Sequence, residues 1–233
     1  MKKIIYFIFL FVFSLTISAQ HLDGSFINGN DSIVFSDDNV SFSITGFAGL
    51  FTVQVGEGTY EINDDFLLVH TKEYTGDKTT FQELNGAKTD TCTVRVMSIN
   101  NYPVQGILVE SKNNSGKIIN ASVTGSDGRI LVTDYDKVSK LTASAMGYHP
   151  ITIDFSPGYD YIVTIAENDI IENRTVAFRF NKIDDETFSL ILLSDDLQSN
   201  KDLEKELAKL VKKARKTNLI EKRFTKELPF FTR

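Results

Sequence analysis

Residues 123–132, with the sequence VTGSDGRILV, place an Asp-Gly turn between two short apolar runs. Gly128 accepts the positive φ of a tight turn, and the Asp127 carboxylate can accept hydrogen bonds from nearby backbone N–H groups. The flanking segments, which start at Val123 and Ile130, would therefore pair as neighbouring strands. Asp127 lacks the spaced acidic ligands and the downstream Glu of a calcium loop. We interpret this turn as a corner of a β-structure and not as a binding site.

Short strands and turns of the same kind continue on both sides of this corner, over residues 91–169. The predicted strands are 92–99, 106–111, 117–124, 129–133, 140–146, 151–155 and 159–165. Seven short strands separated by turn residues at regular intervals are typical of an antiparallel β-sandwich. The sequence therefore predicts a seven-stranded sandwich domain over residues 91–169.

Three motifs follow one another in this region: PVQGILV at 103–109, TGSDGRI at 124–130 and LTASAMGY at 141–148. Their order and residue types resemble the carboxypeptidase regulatory-like family, whose domains are transthyretin-like β-sandwiches. Gly125 stands where that family often has Asp, and Ile130 replaces its usual aromatic residue, so no role of that Asp carries over. The resemblance implies a transthyretin-like sandwich over residues 91–169.

An earlier part of the chain, residues 32–71, alternates apolar and polar side chains. The segment VSFSIT at 40–45 is an example, and this period of two indicates half-buried antiparallel strands. GTYEINDDFLLV at 58–69 is similar to a hairpin of bacterial lipocalin-like small-barrel domains, and DSIVF at 31–35 lies where their first strand pair begins. The similarity implies a small antiparallel β-barrel-like domain over residues 20–90.

Residues 175–193 contain a second predicted pair of strands with a turn between them. An isolated hairpin is only marginally stable in water, so this pair must join a larger sheet. Two arrangements are open. Residues 171–198 complete the domain at 20–90, with the sandwich inserted into it, or they extend the sandwich.

The last segment, residues 199–233, is predicted to form a basic amphipathic helix followed by a tail. Ser199 and Asn200 are suitable N-cap residues, and apolar residues recur at helical spacing between Leu203 and about Phe224. One apolar face of this helix should pack on a β-surface.

The charge of the chain is distributed unevenly. Residues 20–200 carry 12 Lys+Arg against 26 Asp+Glu, a net charge of −14, whereas residues 201–233 carry 11 against 5, a net charge of +6. A basic segment of this kind packs on the acidic body of its own chain or contacts an acidic partner, such as an anionic membrane surface or glycan. The apolar face of the helix favours packing on the body.

The first residues, 1–19, follow the order of a secretory signal peptide. MKK precedes an apolar run at 4–15, and the small residues Ser18 and Ala19 follow. Cleavage after Ala19 would export the mature protein to the periplasm, the outer membrane or the extracellular space. The apolar run is shorter than the ~20 residues that span a bilayer, so no stable membrane span is expected after cleavage.

Two sites are candidates for reactive chemistry. Cys92, the only cysteine, lies in an alternating apolar run, which predicts a buried and inert thiol. HTKE at 70–73 matches the H-x-x-E motif that supplies zinc ligands in carboxypeptidases, but His70 and Glu73 would point to opposite faces of a strand. No third ligand is evident, since His149 belongs to another predicted domain. The sequence predicts no catalytic residue, no metal site and no cofactor.

These observations favour a secreted, non-catalytic binding or scaffolding module for a protein or glycan partner at the bacterial cell envelope. The candidate contact residues are aromatic: Tyr102, Tyr148, Tyr159, Phe230 and Phe231. An alternative is a carrier whose barrel-like domain encloses a small apolar ligand. The candidate lining residues are Phe42, Phe51, Tyr60 and Leu68. A metal-dependent hydrolase is a third alternative, and nucleic acid is not expected as a partner of a secreted acidic chain.

Overall fold

The computed structural model describes residues 22–46, 52–86, 91–133, 135–198, 202–217 and 219–228. The predicted signal peptide at 1–19 lies outside these residues, as do Phe51, Phe230 and Phe231. The described part of the chain is mainly β and contains one α-helix, as the sequence predicts. Within it, no helix combines the length and the apolar character needed to cross a membrane.

The described strands fall into three groups along the chain. The first group contains β1 (Gly24–Asn28), β2 (Asp31–Ser36), β3 (Asn39–Thr45), β4 (Val53–Asn63) and β5 (Phe66–Thr71). The second group contains β6 (Thr80–Asn85), β7 (Cys92–Ser98), β8 (Leu108–Lys112), β9 (Ile118–Val123), β10 (Arg129–Val132), β11 (Lys140–Ser144), β12 (Ile151–Asp154) and β13 (Tyr159–Ile165). The third group contains β14 (Asp169–Ile170), β15 (Thr175–Lys182), β16 (Thr187–Ser194) and β17 (Lys222–Lys226), with the helix α1 (Leu203–Thr217) between β16 and β17.

Eight strands of the first and third groups close into an antiparallel β-barrel, in the order β4-β3-β2-β1-β17-β16-β15-β5. Pairing of β5 with β4 closes the barrel, and the short strand β14 lies parallel to β4. Because β15 pairs with β5, the hairpin at 171–198 lies in the barrel and not in the sandwich region. The inside of an eight-stranded barrel is just wide enough to be filled by side chains or to hold one small ligand.

The C-terminal segment differs from the prediction of a helix that continues to about Phe224. Helix α1 ends at Thr217, and β17 pairs with β1 on one side and with β16 on the other. Phe224 is the one apolar residue of β17 and is fully buried. A single apolar residue among charged ones gives no strand pattern, but the open edges of β1 and β16 supply the backbone hydrogen bonds that this segment needs.

The start of α1 also differs from the prediction, which placed the N-cap at Ser199 and Asn200. The helix begins at Leu203, and the Asp202 carboxylate accepts a hydrogen bond from the backbone N–H of Lys205 over 3.2 Å. Asp202 is therefore the residue that caps the helix.

Helix α1 packs on the outer surface of the barrel. Leu207 is buried there against Leu68 of β5 and Ala177 of β15. On the other face of β5, Leu67 and Val69 belong to the core inside the barrel. Strand β5 is consequently buried on both faces, and the apolar face predicted for the helix is used in packing on the barrel.

The second group of strands forms two four-stranded sheets, ordered β10-β7-β13-β6 and β12-β11-β8-β9. We call residues 80–165 the two-sheet unit. Its two sheets share one apolar core, to which Val94 and Tyr161 contribute from one sheet and Val109 and Leu141 from the other.

The two-sheet unit departs from the predicted seven-stranded antiparallel sandwich in two respects. β6, which the sequence analysis placed in the first domain, adds an eighth strand, and β13 runs parallel to β7. Every residue of β6 is exposed, so this strand has no buried face and lacks the alternation that predicts strands. The turn at 125–128 is a corner, as predicted: Asp127 Oδ1 accepts a hydrogen bond from the Arg129 N–H over 3.1 Å, and Gly128 has a φ of 70°.

The barrel and the two-sheet unit are joined at one place by two connecting segments. The chain leaves the barrel after β5 and returns before β14, and Thr79 Oγ1 accepts a hydrogen bond from the Ala166 N–H over 3.0 Å. Lys78 on the outgoing segment and Glu172, which follows β14, form an ion pair with Nζ and Oε2 2.8 Å apart. The points at which the insert begins and ends are therefore adjacent.

Candidate functional site

The interior of the barrel, a candidate ligand cavity, is occupied by aromatic side chains. Phe188 contacts four other rings, with centroids between 4.8 and 6.1 Å away: Phe26, Phe35, Phe180 and Phe224. These separations are typical of packed aromatic pairs. The rings thus take up interior positions that the carrier hypothesis assigns to a ligand.

Two of the four predicted lining residues lie in this core. The Phe42 ring packs over Gly56, where a Cβ would lie 2.6 Å from the ring Cζ. The Tyr60 hydroxyl donates to the Leu22 carbonyl and accepts from the Leu22 N–H, both over 3.0 Å. Burial raises the pKa of Tyr60, with smaller opposing and reinforcing contributions from Leu22 and from nearby carboxylates. Both side chains therefore make their contacts with other residues of the protein.

Of the other two predicted lining residues, the structure describes Leu68, which does not line the interior. Leu68 points outward and packs under α1. The prediction missed this because β5 is buried on both faces, so its apolar run does not reveal which residues point inward. Phe51 lies outside the described residues. The sequence prediction of a ligand cavity is corrected at Leu68.

A cavity of about 420 Å³ lies at one end of the two-sheet unit and brings two predicted contact residues together. It is lined by the end of β7 and the β7–β8 loop, by the β11–β12 loop, and by the end of β13 and the segment that follows it. The lining residues are Ser98, Ile99, Asn100, Tyr102, Pro103, Val104, Gln105, Tyr148, Ile165 and Glu167. We call this cavity the tyrosine cleft, because Tyr102 and Tyr148 contribute its two aromatic rings.

Backbone bonds in the tight β7–β8 loop hold Tyr102 in place. The Ser98 N–H donates to the Tyr102 carbonyl over 2.7 Å, and the Tyr102 N–H donates to Ser98 Oγ over 3.2 Å. Asn101 takes a φ of 62°, a left-handed conformation that Asn tolerates better than most residues. The Tyr102 side chain is 71% exposed, so the loop presents most of the ring to solvent.

Tyr148 reaches the cleft from the β11–β12 loop. Its hydroxyl is 3.5 Å from Glu167 Oε1 and donates to that carboxylate. Burial raises the pKa of Tyr148, and the negative charge and the hydrogen bond of Glu167 raise it further. Tyr148 therefore stays protonated at neutral pH and can donate to Glu167.

The tyrosine cleft combines flat apolar surface with groups that form hydrogen bonds. The amides of Asn100 and Gln105 can each donate and accept, and an ionised Glu167 accepts only. The Ser98 hydroxyl already accepts from Tyr102, and the lining residues contain no His or Cys. Flat rings, amides and one carboxylate are groups that can bind a ligand with both apolar faces and polar substituents.

The sequence analysis did not identify Asn100, Gln105 or Glu167 as candidate site residues. Asn100 and Glu167 are isolated polar residues outside any motif, and Gln105 occupies an unspecified position within the motif at 103–109. Glu167 also follows β13, far along the chain from the other two. The one available signal was the position of Asn100 and Gln105 in a loop beside Tyr102.

Of the remaining predicted contact residues, the structure describes Tyr159, which does not line the cleft. Tyr159 is exposed at the opposite end of β13 from Ile165, about 20 Å along the strand at the usual rise per residue. Phe230 and Phe231 lie outside the described residues. Among the predicted aromatic contacts, Tyr102 and Tyr148 thus form the candidate site.

The residues considered for metal or thiol chemistry are dispersed. His70 Nε2 lies 3.7 Å from Glu61, and Glu73 lies 3.6 Å from Lys78. Within the described residues, no group of three or more His, Cys, Asp or Glu side chains is arranged to hold a metal ion. Cys92 is buried, and burial raises the pKa of its thiol to about 12.

Comparisons of the chain with protein-family models, with curated proteins and with solved structures found no match. A functional assignment therefore depends on the chemistry of the tyrosine cleft and on the surfaces around it.

Proposed function

We propose that this protein is an exported, non-catalytic binding module whose tyrosine cleft holds a short segment of a neutral glycan. One observation carries the proposal: the fold brings Tyr102 and Tyr148 into the same cavity as the amides of Asn100 and Gln105. Tyrosine rings offer flat apolar surface to the C–H face of a sugar, and amide side chains pair with sugar hydroxyls in either direction. The sequence pattern of a signal peptide at 1–19 supports export.

The electrostatics of the cleft favour a neutral ligand. Among the described residues, Glu167 is the one charged residue of the lining, and its carboxylate accepts a hydrogen bond from Tyr148. A site selecting a strongly basic or acidic segment would need more charge than this. A protein partner with a strongly charged contact segment is therefore less well supported than a neutral glycan.

The barrel acts as the scaffold in this proposal. Its interior is packed with rings, which supports a structural role over the transport of a small apolar ligand. The resemblance of residues 91–169 to carboxypeptidase regulatory-like domains, with their transthyretin-like sandwich, and of residues 20–90 to lipocalin-like domains belongs to the same proposal. Both implied folds present loops at the ends of packed strands, where binding residues commonly lie.

Binding of neutral oligosaccharides to the purified protein tests the proposal. A panel of glucose-, xylose- and N-acetylglucosamine-based oligomers would be titrated and followed by calorimetry or by chemical shifts. We expect Tyr102→Ala and Tyr148→Ala to weaken binding at least about tenfold, because each removes a ring face from the contact. Tyr159→Ala removes an exposed tyrosine outside the cleft and should leave affinity unchanged.

Three results would overturn the proposal. They are no binding to any oligomer of the panel, equal losses in the Tyr102 and Tyr159 variants, and release of shorter sugars during incubation. The last would indicate catalysis and contradict the non-catalytic assignment.

A further inference from the structure

The solvent-facing side of α1 carries a straight row of lysines. Lys205, Lys209, Lys212 and Lys216 are three or four residues apart, and all four side chains are exposed. With 3.6 residues per turn, they fall within an arc of about 60° and extend over about 16 Å of the helix axis. We call these four residues the lysine row.

The opposite side of α1 is held by the barrel. Leu207 is buried against Leu68 and Ala177, and Leu203 and Leu210 pack against the same cluster. In angle around the helix axis, these leucines lie about 120–180° away from the centre of the lysine row. Packing on the barrel therefore fixes the helix so that the lysine row faces solvent.

The charge of the row contrasts with that of the rest of the chain. Residues 20–200 have a net charge of −14, whereas the segment that contains α1 is positive. The acidic residues of α1, Glu204 and Glu206, lie in its first turn, so the remaining length of the row is basic. The row is an elongated positive surface on an acidic body.

We infer that the lysine row binds a linear acidic polysaccharide, one that carries carboxylate or sulfate groups along its chain. A single row of evenly spaced ammonium groups matches a one-dimensional array of negative charges. Neighbouring lysines on one helix face lie about 5–6 Å apart, a spacing comparable to the length of one sugar unit. The chain would lie along the helix axis.

Two features favour a polysaccharide over an anionic membrane. The apolar face of α1 is already buried on the barrel, so the helix cannot insert that face between lipids. An extended anionic surface would also face more of the acidic body, with its net charge of −14 over residues 20–200, than a thin polymer that follows the helix.

The composition of the helix favours a polysaccharide over a single-stranded nucleic acid. Proteins that bind single strands add aromatic side chains on which bases stack. The sequence of α1, LEKELAKLVKKARKT, contains no aromatic residue. Charge pairing along the row is the interaction that α1 offers, and acidic sugars need no more than that.

The inference does not rest on the proposed function, because the lysine row and the tyrosine cleft belong to different units of the molecule. It is tested with immobilised oligogalacturonate and heparin as probes, on the full mature chain. A variant with Lys205→Gln, Lys209→Gln, Lys212→Gln and Lys216→Gln keeps the helix-forming character of these positions. We expect this variant to lose on the order of a hundredfold in affinity, and the wild type to lose affinity steeply as salt rises.

A matched control carries the same change of charge at exposed lysines elsewhere: Lys72→Gln, Lys117→Gln, Lys137→Gln and Lys140→Gln. This control should bind the acidic probes nearly as the wild type does, and circular dichroism should show the same helix content in both variants. Tyr102→Ala should leave binding to the acidic probes unchanged, which separates this site from the cleft.

The inference is overturned if both lysine variants lose affinity equally, since net charge alone would then explain binding. Tighter binding to vesicles rich in phosphatidylglycerol, or to single-stranded DNA, than to the acidic sugars would also overturn the choice of partner. Unchanged affinity in the lysine-row variant would remove the site altogether.

Discussion

A buried ion pair ties the last strand into the barrel. Asp31, the first residue of β2, pairs with Lys222, the first residue of β17, and their side chains are 7% and 14% exposed. The N–H and the hydroxyl of Thr45 also donate to Asp31 Oδ1, over 2.8 and 2.7 Å. Burial opposes ionisation of Asp31, but the hydrogen bonds from Lys222 and Thr45 outweigh it and lower the pKa of this carboxyl.

Substitution of Asp31 by Asn should therefore destabilise the protein. Asp31→Asn removes the negative charge that balances the largely buried Lys222, and breaking a buried pair in this way costs about 3 kcal/mol in the free energy of unfolding. Urea denaturation measures the loss. Asp185→Asn is the control, because it breaks an ion pair with Lys182 in which the Asp185 carboxylate is 96% exposed. Equal stability of the Asp31 variant and the wild type would contradict a stabilising role for this pair.

The same pair predicts a dependence on pH. The pKa of Asp31 is lower in the folded protein than in the unfolded chain, so its contribution to stability is complete above about pH 4, the ordinary range of an aspartate. That contribution falls as the pH drops through the folded-state pKa. The difference in unfolding free energy between wild type and Asp31→Asn should thus shrink on acidification, and a constant difference would contradict the assignment.

Cys92 should be unreactive while the protein is folded. Its pKa is raised to about 12 by burial and by the nearby charge of Asp160, so almost no thiolate forms at neutral pH. Against an ordinary thiol, the thiolate fraction is lower by about a thousandfold. Labelling with a thiol reagent should therefore require denaturant, whereas Leu131→Cys places a thiol at a 53% exposed position and should react without it. Rapid labelling of Cys92 in the native wild type would contradict this.

Residue-level predictions from sequence succeed where the answer depends on local pattern. The burial of Cys92 follows from the alternation of its strand, and the corner at Asp127 follows from turn chemistry. The meeting of Tyr102, Tyr148 and Glu167 could not be predicted, because it depends on how two loops and the end of β13 lie in space. Candidate residues were thus accessible from the sequence, but the site was not.

At the level of elements, sequence patterns describe well the strands that bury one face, and describe poorly the strands that bury both faces or almost none. β2 and β3 alternate strictly and were identified from their period. β5 is apolar without alternation because α1 covers its outer face, so the direction of Leu68 was not readable. β6 and β17 are defined mainly by their pairing partners, since one has no buried face and the other has a single buried apolar residue.

The packing of α1 on β5 and β15 gives a prediction at this scale. Leu207→Ala empties space between the helix and Leu68, and such a truncation of a buried leucine costs about 3 kcal/mol in unfolding free energy. Chemical denaturation measures the loss, and proteolysis within α1 should become faster. Leu131→Ala makes the same change at an exposed position of β10 and should cost little. A Leu207 variant as stable as the Leu131 variant would mean that the helix does not depend on this contact.

The whole molecule is a barrel with a second folding unit inserted between β5 and β14. The apolar core of the barrel contains residues from 22–69 and 171–224, and the core of the two-sheet unit lies within 92–165. The ends of the insert meet at Thr79 and Ala166, so insertion leaves the barrel strands close to where a direct connection would put them. Separate cores and adjacent ends are the conditions under which inserted domains fold independently.

Removal of residues 80–165 and their replacement by a short Gly-Ser linker should therefore leave a folded barrel. All eight barrel strands remain, and the linker closes only the gap between Thr79 and Ala166. Cooperative thermal unfolding and a β-rich circular dichroism spectrum are the expected results. Sugar binding at the tyrosine cleft should disappear with the insert, while affinity of the lysine row for oligogalacturonate should persist.

Deletion of residues 222–233 is the matched test of barrel closure. It removes far fewer residues but takes away β17, which leaves the facing edges of β1 and β16 unpaired and removes Phe224 from the core. We expect the variant without residues 222–233 to unfold or aggregate, because two strand edges are exposed and an aromatic ring is lost from the core. If the chain without residues 80–165 unfolds and the chain without 222–233 stays folded, the barrel is not the independent unit that its separate core implies.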